Sequence, residues 1–277
     1  MRDKTVLITG STDGVGRKVA IELGKRGAKV LVHGRDTARA REVVAEIGRS
    51  GGMAEFYAAD LSSLADVRGF AAVVADDHAR LDILINNAGI GTRTGGPQRR
   101  ASADGHELRF AVNYLAGFLL TRLLLPLLRS SAPARIVNVA SAGQAPIDFD
   151  DVMLARSYDG AQAYMQSKLA QIMFTVDLAQ ELAGSGVTVN CLHPATYMAT
   201  TMVREAGVSP TSTVEEGADA ILNLAVSPDL EGRSGLYFNH KQQTRANAQA
   251  YDQAARQRLR ELSLRLTGLH LEPPARP

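Results

Sequence analysis

Short runs of β-branched and apolar residues alternate with longer amphipathic runs along this chain, and that rhythm leaves few folds open. Apolar runs at 5–9, 29–33, 54–58, 82–86, 135–140, 188–193 and 235–238 have strand length. Between them, 14–26, 37–49, 62–78, 108–129, 161–183 and 214–226 have the length and pattern of helices. Strands that alternate with helices are joined by right-handed crossovers and lie parallel. The expected fold is therefore α/β, a single doubly wound Rossmann-type domain over residues 1–277, with a parallel seven-stranded sheet flanked by helices. Three segments break the rhythm, 91–105, 143–160 and 196–213, and each follows a strand. Ligands of open parallel sheets bind beyond the carboxyl ends of the strands, so these loops are expected to wall a pocket. After the last strand, Ala255, Leu259, Leu262 and Leu266 recur at helical spacing in an Arg-rich tail, which predicts a docked surface helix.

Composition excludes several classes of function. Of 277 residues, 45% are apolar and 22% charged, which rules out a disordered or fibrous chain. Net charge is only +2, and the arginines are spread over several helices, so no nucleic-acid partner is expected. Cys191 is the only cysteine and sits in an apolar run, leaving neither a disulfide nor a thiolate metal site. The six histidines show no paired ligand spacing, and no metal is expected. The apolar stretch 108–128 carries Arg109, Asn113, Arg122 and Pro126, which suits a buried or interfacial helix better than a lipid-spanning one. No signal-peptide pattern precedes the first strand, so the expectation is a cytoplasmic protein without a membrane anchor.

The first strand runs into Thr9, Gly10, Ser11, Thr12, Asp13, Gly14, Val15 and Gly16, and then into a helix. Gly10 permits a tight turn, Gly14 lets backbone approach a pyrophosphate, and Gly16 allows close helix packing. Ser11 and Val15 belong to the same cradle, and the helix N-terminus offers free N–H groups to phosphates. At the end of the second strand, Gly34 leaves room and Arg35 offers a guanidinium to a 2′-phosphate, which favours NADP(H) over NAD(H). Asp36 could rotate inward, and Asp13 adds negative charge nearby; both would oppose that preference.

Further along, Tyr164 and Lys168 stand four residues apart, an interval that helical geometry places on one face. An ammonium beside a phenol favours the phenolate, so the pair suits proton transfer to a carbonyl oxygen. With the glycine turn, Asn86, Asn87, Ala88 and Gly89, then Asn113, Ser141, Tyr164 and Lys168 in this order, the chain resembles the short-chain dehydrogenase/reductase family. The long interval from Ser141 to Tyr164, the run 135–141 and the His193-Pro194 pair look most like its retinol-dehydrogenase-like branch.

The resemblance implies that Tyr164 is the general acid/base and that Lys168 lowers its pKa and holds the nicotinamide ribose. It further implies that Ser141 bonds the substrate oxygen and that Asn113 fixes a water relaying protons to Lys168. Asp60 and Leu61 would flank the adenine, and Asn86, with Ala88 and Gly89 beside it, would contact the adenosine ribose. Pro194 to Thr196 would approach the nicotinamide; Ala195 stands where relatives usually have glycine, leaving Thr196, Thr200 and Thr201 as alternative cofactor contacts. Structural duties also fit two of these residues: Asn113 could satisfy buried backbone groups and Ser141 could cap a turn.

The expected activity is hydride transfer between NADP(H) and a carbonyl or alcohol of a small to medium, largely apolar substrate. Tyr197, Met198, Met202, Ile147 and Phe149 are candidates for the pocket lining, though the two methionines could equally be packing residues. Alternatives are a non-catalytic NADP-sensing protein and a reductase of an activated C=C bond. An apolar stripe on the helix at 108–128 and the helix bearing Tyr164 would bury surface against a second subunit, so a homodimer or homotetramer is expected.

Overall fold

The computed structural model describes residues 1–94 and 96–270; Gly95 in the 91–105 loop and residues 271–277 of the expected 1–277 domain lie outside the described residues. Seven strands are parallel: β1 (Thr5–Ile8), β2 (Lys29–Gly34), β3 (Met53–Ala58), β4 (Ile83–Asn86), β5 (Ala134–Val139), β6 (Val187–His193) and β7 (Tyr237–Asn239). An eighth, β8 (Gln242–Thr244), runs antiparallel on β7, so the sheet order is β3-β2-β1-β4-β5-β6-β7-β8. β8 is three exposed polar residues, so no apolar pattern marks it, and a left-handed His240 (φ 55°) reverses the chain before it. Order reverses between β1 and β4, the topological switch point where ligands of doubly wound sheets bind. Both strands are buried along their whole length, as parallel strands covered on two faces must be.

The helices are α1 (Gly14–Lys25), α2 (Thr37–Arg49), α3 (Leu64–Asp77), α4 (Leu108–Phe110), α5 (Ala116–Ser130), α6 (Gly160–Glu181), α7 (Thr201–Glu205), α8 (Val214–Val226) and α9 (Gln253–Thr267). A π-helical turn at Ala111–Leu115 joins α4 to α5 into one continuous helix, Leu108–Ser130. One apolar layer lies between the sheet and α1, α2 and α8. The other lies between the sheet and α3, α5, α6 and α9.

By composition Leu108–Ser130 is apolar enough to cross a membrane, yet 72% of its most apolar window is buried inside the protein. Part of that cover comes from α9. Leu259 of α9 is 2% exposed, Tyr114 and Ser263 share a hydrogen bond of 2.7 Å between their hydroxyls, and Arg260 pairs with Asp177 on α6. The docked tail helix is therefore present. It covers, within the chain, part of the apolar stripe from which a second subunit was expected.

Candidate active site

Gly10 turns at φ 64°, and a Cβ on it would stand 2.9 Å from the Ala88 Cα. A Cβ on Gly16 would stand 2.3 Å from the Gly10 carbonyl oxygen, so the helix starts as close to the turn as backbone permits. Gly14 is also left-handed (φ 54°), with Thr200 Cγ2 3.3 Å from where its Cβ would be. The strand β4 end is tied to this turn by Asn87, whose Nδ2 donates to the carbonyls of Thr9 (2.9 Å) and Gly10 (3.1 Å). The Thr9 hydroxyl accepts from the N–H groups of both Asn87 and Ala88 at 3.0 Å. His33 closes the other side: its Nδ1 accepts from the Gly10 N–H at 3.1 Å, and burial holds its pKa down at about 4, keeping that acceptor unprotonated. The result is a tight, side-chain-free cradle at the N-terminus of α1, the form a pyrophosphate fits.

Around it, Asp13 caps α1 by accepting from Gly14 N at 2.8 Å and from the Thr201 hydroxyl at 2.8 Å. Burial opposes its ionisation, but Thr201, Gly14 N–H and Arg39 outweigh that and hold its carboxyl below the usual range. Asp36 does not turn inward; it caps α2, accepting from the N–H groups of Ala38 (3.0 Å) and Arg39 (3.1 Å). Arg35 is exposed beside Asp60, 3.9 Å away. The three threonines separate: Thr200 and Thr201 lie against the glycine turn, whereas Thr196 is exposed with its hydroxyl on His193 Nε2 at 3.0 Å.

Ser141, Tyr164, Lys168 and Asn113 converge beside this cradle. Ser141 follows β5, its hydroxyl accepts from Gly143 N–H at 3.0 Å, and it stands beside Tyr164: a Cβ on Gly143 would lie 3.5 Å from Ser141 Oγ and 3.9 Å from Tyr164 Cε1. Lys168 lies under Tyr164, its Nζ 5.8 Å from the ring centroid. Gly89 brings the cradle to the pair, since a Cβ there would be 3.3 Å from Asn113 Oδ1 and 3.5 Å from Lys168 Nζ. Asn113 sits in the π-helical turn, a distortion that re-aims side chains and concentrates at functional sites. Its Oδ1 accepts from Ile90 N–H (2.7 Å) while its Nδ2 donates to Ile90 O (3.2 Å) and to Ser167 Oγ (3.0 Å). The structural duty open to Asn113 is thus real, and it fixes the loop that leaves β4.

The expected depression of the phenol pKa is not found. Burial raises it, the Ser141 hydroxyl opposes this in part, and Lys168 directs its ammonium to Val139 O (2.9 Å) and Gln171 Oε1 (3.0 Å). Burial in turn holds Lys168 down at about 7.

Several of the expected contact residues have side chains engaged within the protein. Asn86 points into the core, donating to Thr121 Oγ1 (2.9 Å) and Asn138 Oδ1 (2.8 Å), so its side chain cannot meet a ribose. Strand alternation aims it at Gly117 of α5. Ser11 is fully buried and latches β1 to β2, donating to Ile8 O and accepting from His33 N–H, both at 2.9 Å, so its hydroxyl is not free for phosphate. The side chains of Val15 and Leu61 are spent in the core, and Pro194 is buried while Asp60 caps its own turn through Ser62 N–H. Of the lining candidates, Ile147 is buried, Phe149 lies under Arg258, and Met198 packs against Gly217 and Val15. Tyr197 is 51% exposed and Met202 lies against Gly91, so these two remain at the mouth.

Residues the sequence reading passed over hold Ser141. Its carbonyl accepts from Tyr237 Oη at 3.1 Å and from Gln144 Nε2 at 3.0 Å, and Gln144 in turn accepts from Asn247 N–H at 2.8 Å. Tyr237 has no local signal, because it lies 96 residues from Ser141, and Gln144, three residues on, stands in a loop, where that interval fixes no geometry. Gln171 did have one, the three-residue interval from Lys168.

A doubly wound sheet with a glycine cradle at its switch point and a Tyr-x-x-x-Lys helix beside a serine defines a class of nucleotide-dependent oxidoreductases. The chain belongs to the short-chain dehydrogenase family, whose model, described as short chain dehydrogenase, matches residues 4–209. Within it the chain falls in the retinol-dehydrogenase-like branch. Retinol dehydrogenase 14 of Homo sapiens is 40% identical over 299 residues, covering 97% of this chain and 88% of that one. Retinol dehydrogenase 13 of Homo sapiens is 37% identical over 286 residues, with 96% and 85% covered. Among solved structures, the Pseudomonas aeruginosa RhlG/NADP active-site complex superposes with a TM-score of 0.69 at 29% identity, covering 86% of this chain and 95% of that chain.

Proposed function

We propose that this oxidoreductase moves hydride between NADP(H) and the carbonyl or alcohol carbon of a small to medium, largely apolar substrate. Carrying the reading is the convergence of the Ser141 hydroxyl, the Tyr164 phenol and the Lys168 ammonium next to the glycine cradle. The nicotinamide supplies or takes the hydride when bound. Ser141 holds the substrate oxygen, Tyr164 gives that oxygen a proton as it becomes an alkoxide, or removes one in the reverse direction, and Lys168 stabilises the phenolate left behind. A phenol kept protonated by burial is ready as the acid for carbonyl reduction.

Because relatives carry the name retinol dehydrogenase, all-trans-retinal and retinol head the panel of aldehydes, ketones and alcohols to assay by NADPH absorbance. Tyr164→Phe is expected to lower kcat at least a hundredfold on every accepted substrate with NADPH binding intact, by the usual contribution of general acid catalysis of about 10²–10⁴. Near wild-type turnover would overturn the assignment. NADP preference is supported by exposed Arg35 and by Asp36 being committed to its cap. Arg35→Ala is expected to weaken NADPH binding about tenfold and leave NADH unchanged, from the loss of about one charge-assisted bond. An unchanged NADPH to NADH ratio in fluorescence titrations would refute it.

A further inference from the structure

Lys168 is the one buried cation through which the proposed site must work, and its support comes from neutral oxygens. The side chain is 4% exposed, and its Nζ donates to two acceptors, the Val139 carbonyl at 2.9 Å and the Gln171 amide oxygen at 3.0 Å. Val139 belongs to backbone at the end of β5 and cannot be changed by substitution. Gln171 is different: it lies three residues beyond Lys168 on α6, is 5% exposed, and spends its oxygen on that ammonium.

We propose that Gln171 is a positioning residue of the site, whose amide oxygen keeps the Lys168 side chain charged and directed beneath Tyr164. This rests on the reading of Tyr164 and Lys168 as the working pair. The groups that face Lys168 leave the task to Gln171. On α6 itself stands Tyr164, with its ring centroid 5.8 Å away, and its phenol is neutral through burial. From β6 comes His193, which burial, His240 and Lys168 together hold down at about 4, so it brings no charge near neutral pH. His240 stacks edge-on against it from the β7–β8 turn. From the β4 side come Gly89 and the Asn113 amide, both uncharged. Burial alone depresses the Lys168 pKa, to about 7, so the ammonium is poised to lose its proton in the working range. An acceptor oxygen bonded to the charged form opposes that loss.

The test uses full-length protein carrying Tyr164→Phe, so that the phenol does not titrate, with and without Gln171→Leu or Gln171→Glu. NADPH affinity is measured by fluorescence from pH 6 to 10, and kcat/KM is followed over the same range in the Tyr164 background. Gln171→Leu should move the alkaline loss of NADPH affinity down by about one pH unit, making binding about tenfold weaker near the wild-type limb, since bonds to charged groups are worth about one pKa unit or more. Gln171→Glu should move it up by a similar amount. Limbs that stay in place in both variants, or affinity that falls equally at every pH, would overturn the proposal. If Gln171→Leu does not fold, the Glu variant decides alone, by an upward shift or none. Protein that binds NADPH with a Gln171-dependent limb yet reduces nothing in the panel would sink the catalytic reading and leave this inference standing.

Discussion

Lys168, the proposed partner of Tyr164, shows what a buried lysine costs the fold that carries it. Burial holds its pKa at about 7, against 10.5 in the unfolded chain, so the folded state binds fewer protons than the unfolded one between those values. Stability therefore rises with pH across that window, and the penalty is fully present below about pH 7. Lys168→Met is accordingly expected to raise Tm at pH 6 while abolishing turnover, and its advantage over the parent should shrink as pH approaches 10. Calorimetry of both proteins at pH 6, 8 and 9.5 checks this; a gap that widens with pH would contradict it. The Tyr164–Lys168 pair was readable because an i, i+4 interval fixes geometry wherever a helix forms. Asn86 was not, because alternation along a buried strand does not say which residues face the ligand and which face a covering helix, and polar Asn86 pairs inside the sheet with Asn138. Residue identity marked the candidate side chains that converge and left their hydrogen-bonded supports, Gln144, Gln171 and Tyr237, to be found in space.

Elements, unlike their polar details, follow closely from apolar periodicity. Helices α2 and α8 occupy 37–49 and 214–226 as expected, and most strands end within a residue or so of the apolar runs, because burial on both faces demands them. The π-helical turn at Ala111–Leu115 left no mark in the pattern, since one residue added to a turn shifts apolar spacing less than the spread of a buried helix. Its consequence is specific. Asn113 is aimed at Ile90 and satisfies both backbone groups of that residue. Asn113→Leu would leave the part-buried N–H and C=O of Ile90 without their amide partner, and a loss of about 1 kcal/mol is expected, the usual net worth of such a hydrogen bond. Urea midpoints at constant m-value measure it; no loss would mean that water replaces the amide. At the other end of the site, Gly16→Ala drives a methyl against the Gly10 carbonyl 2.3 Å away, so α1 must retreat from the turn. NADPH affinity is expected to fall at least tenfold, a magnitude set by the loss of a few tenths of an ångström in a site built on close approach.

For the whole molecule, α9 decides which surface is left to meet another copy. The sequence marked it as a docked helix through Ala255 and Leu259, both buried, and Leu262 and Leu266, both packed against the core. What spacing along one helix does not convey is the place it docks, because that depends on partners far away in the chain. Those partners are Tyr114, bonded to Ser263, Asp177, paired with Arg260, and Gln180, reached by Arg256. Arg68 and His106 reach the carbonyls of Thr267 and Leu266, fastening the helix end to the elements before and after β4. With α9 in place, Phe118 and Phe174 pack as a tilted pair, ring centroids 5.1 Å apart, beneath it as core rather than as contact surface. A second subunit would have to displace this helix before gaining that apolar area. The full chain is therefore expected to scatter light as a monomer at micromolar concentration. Removal of residues 252–277 should expose Tyr114, Phe118 and Phe174 and give dimers or larger species with a Tm several degrees lower. Should the truncated chain not fold, Leu259→Arg replaces a buried leucine with a charge at the same seam and is expected to act in the same direction. A full-length dimer that keeps Ser263 and Tyr114 protected from solvent in hydrogen exchange would place the interface on another face and leave α9 as a cover only.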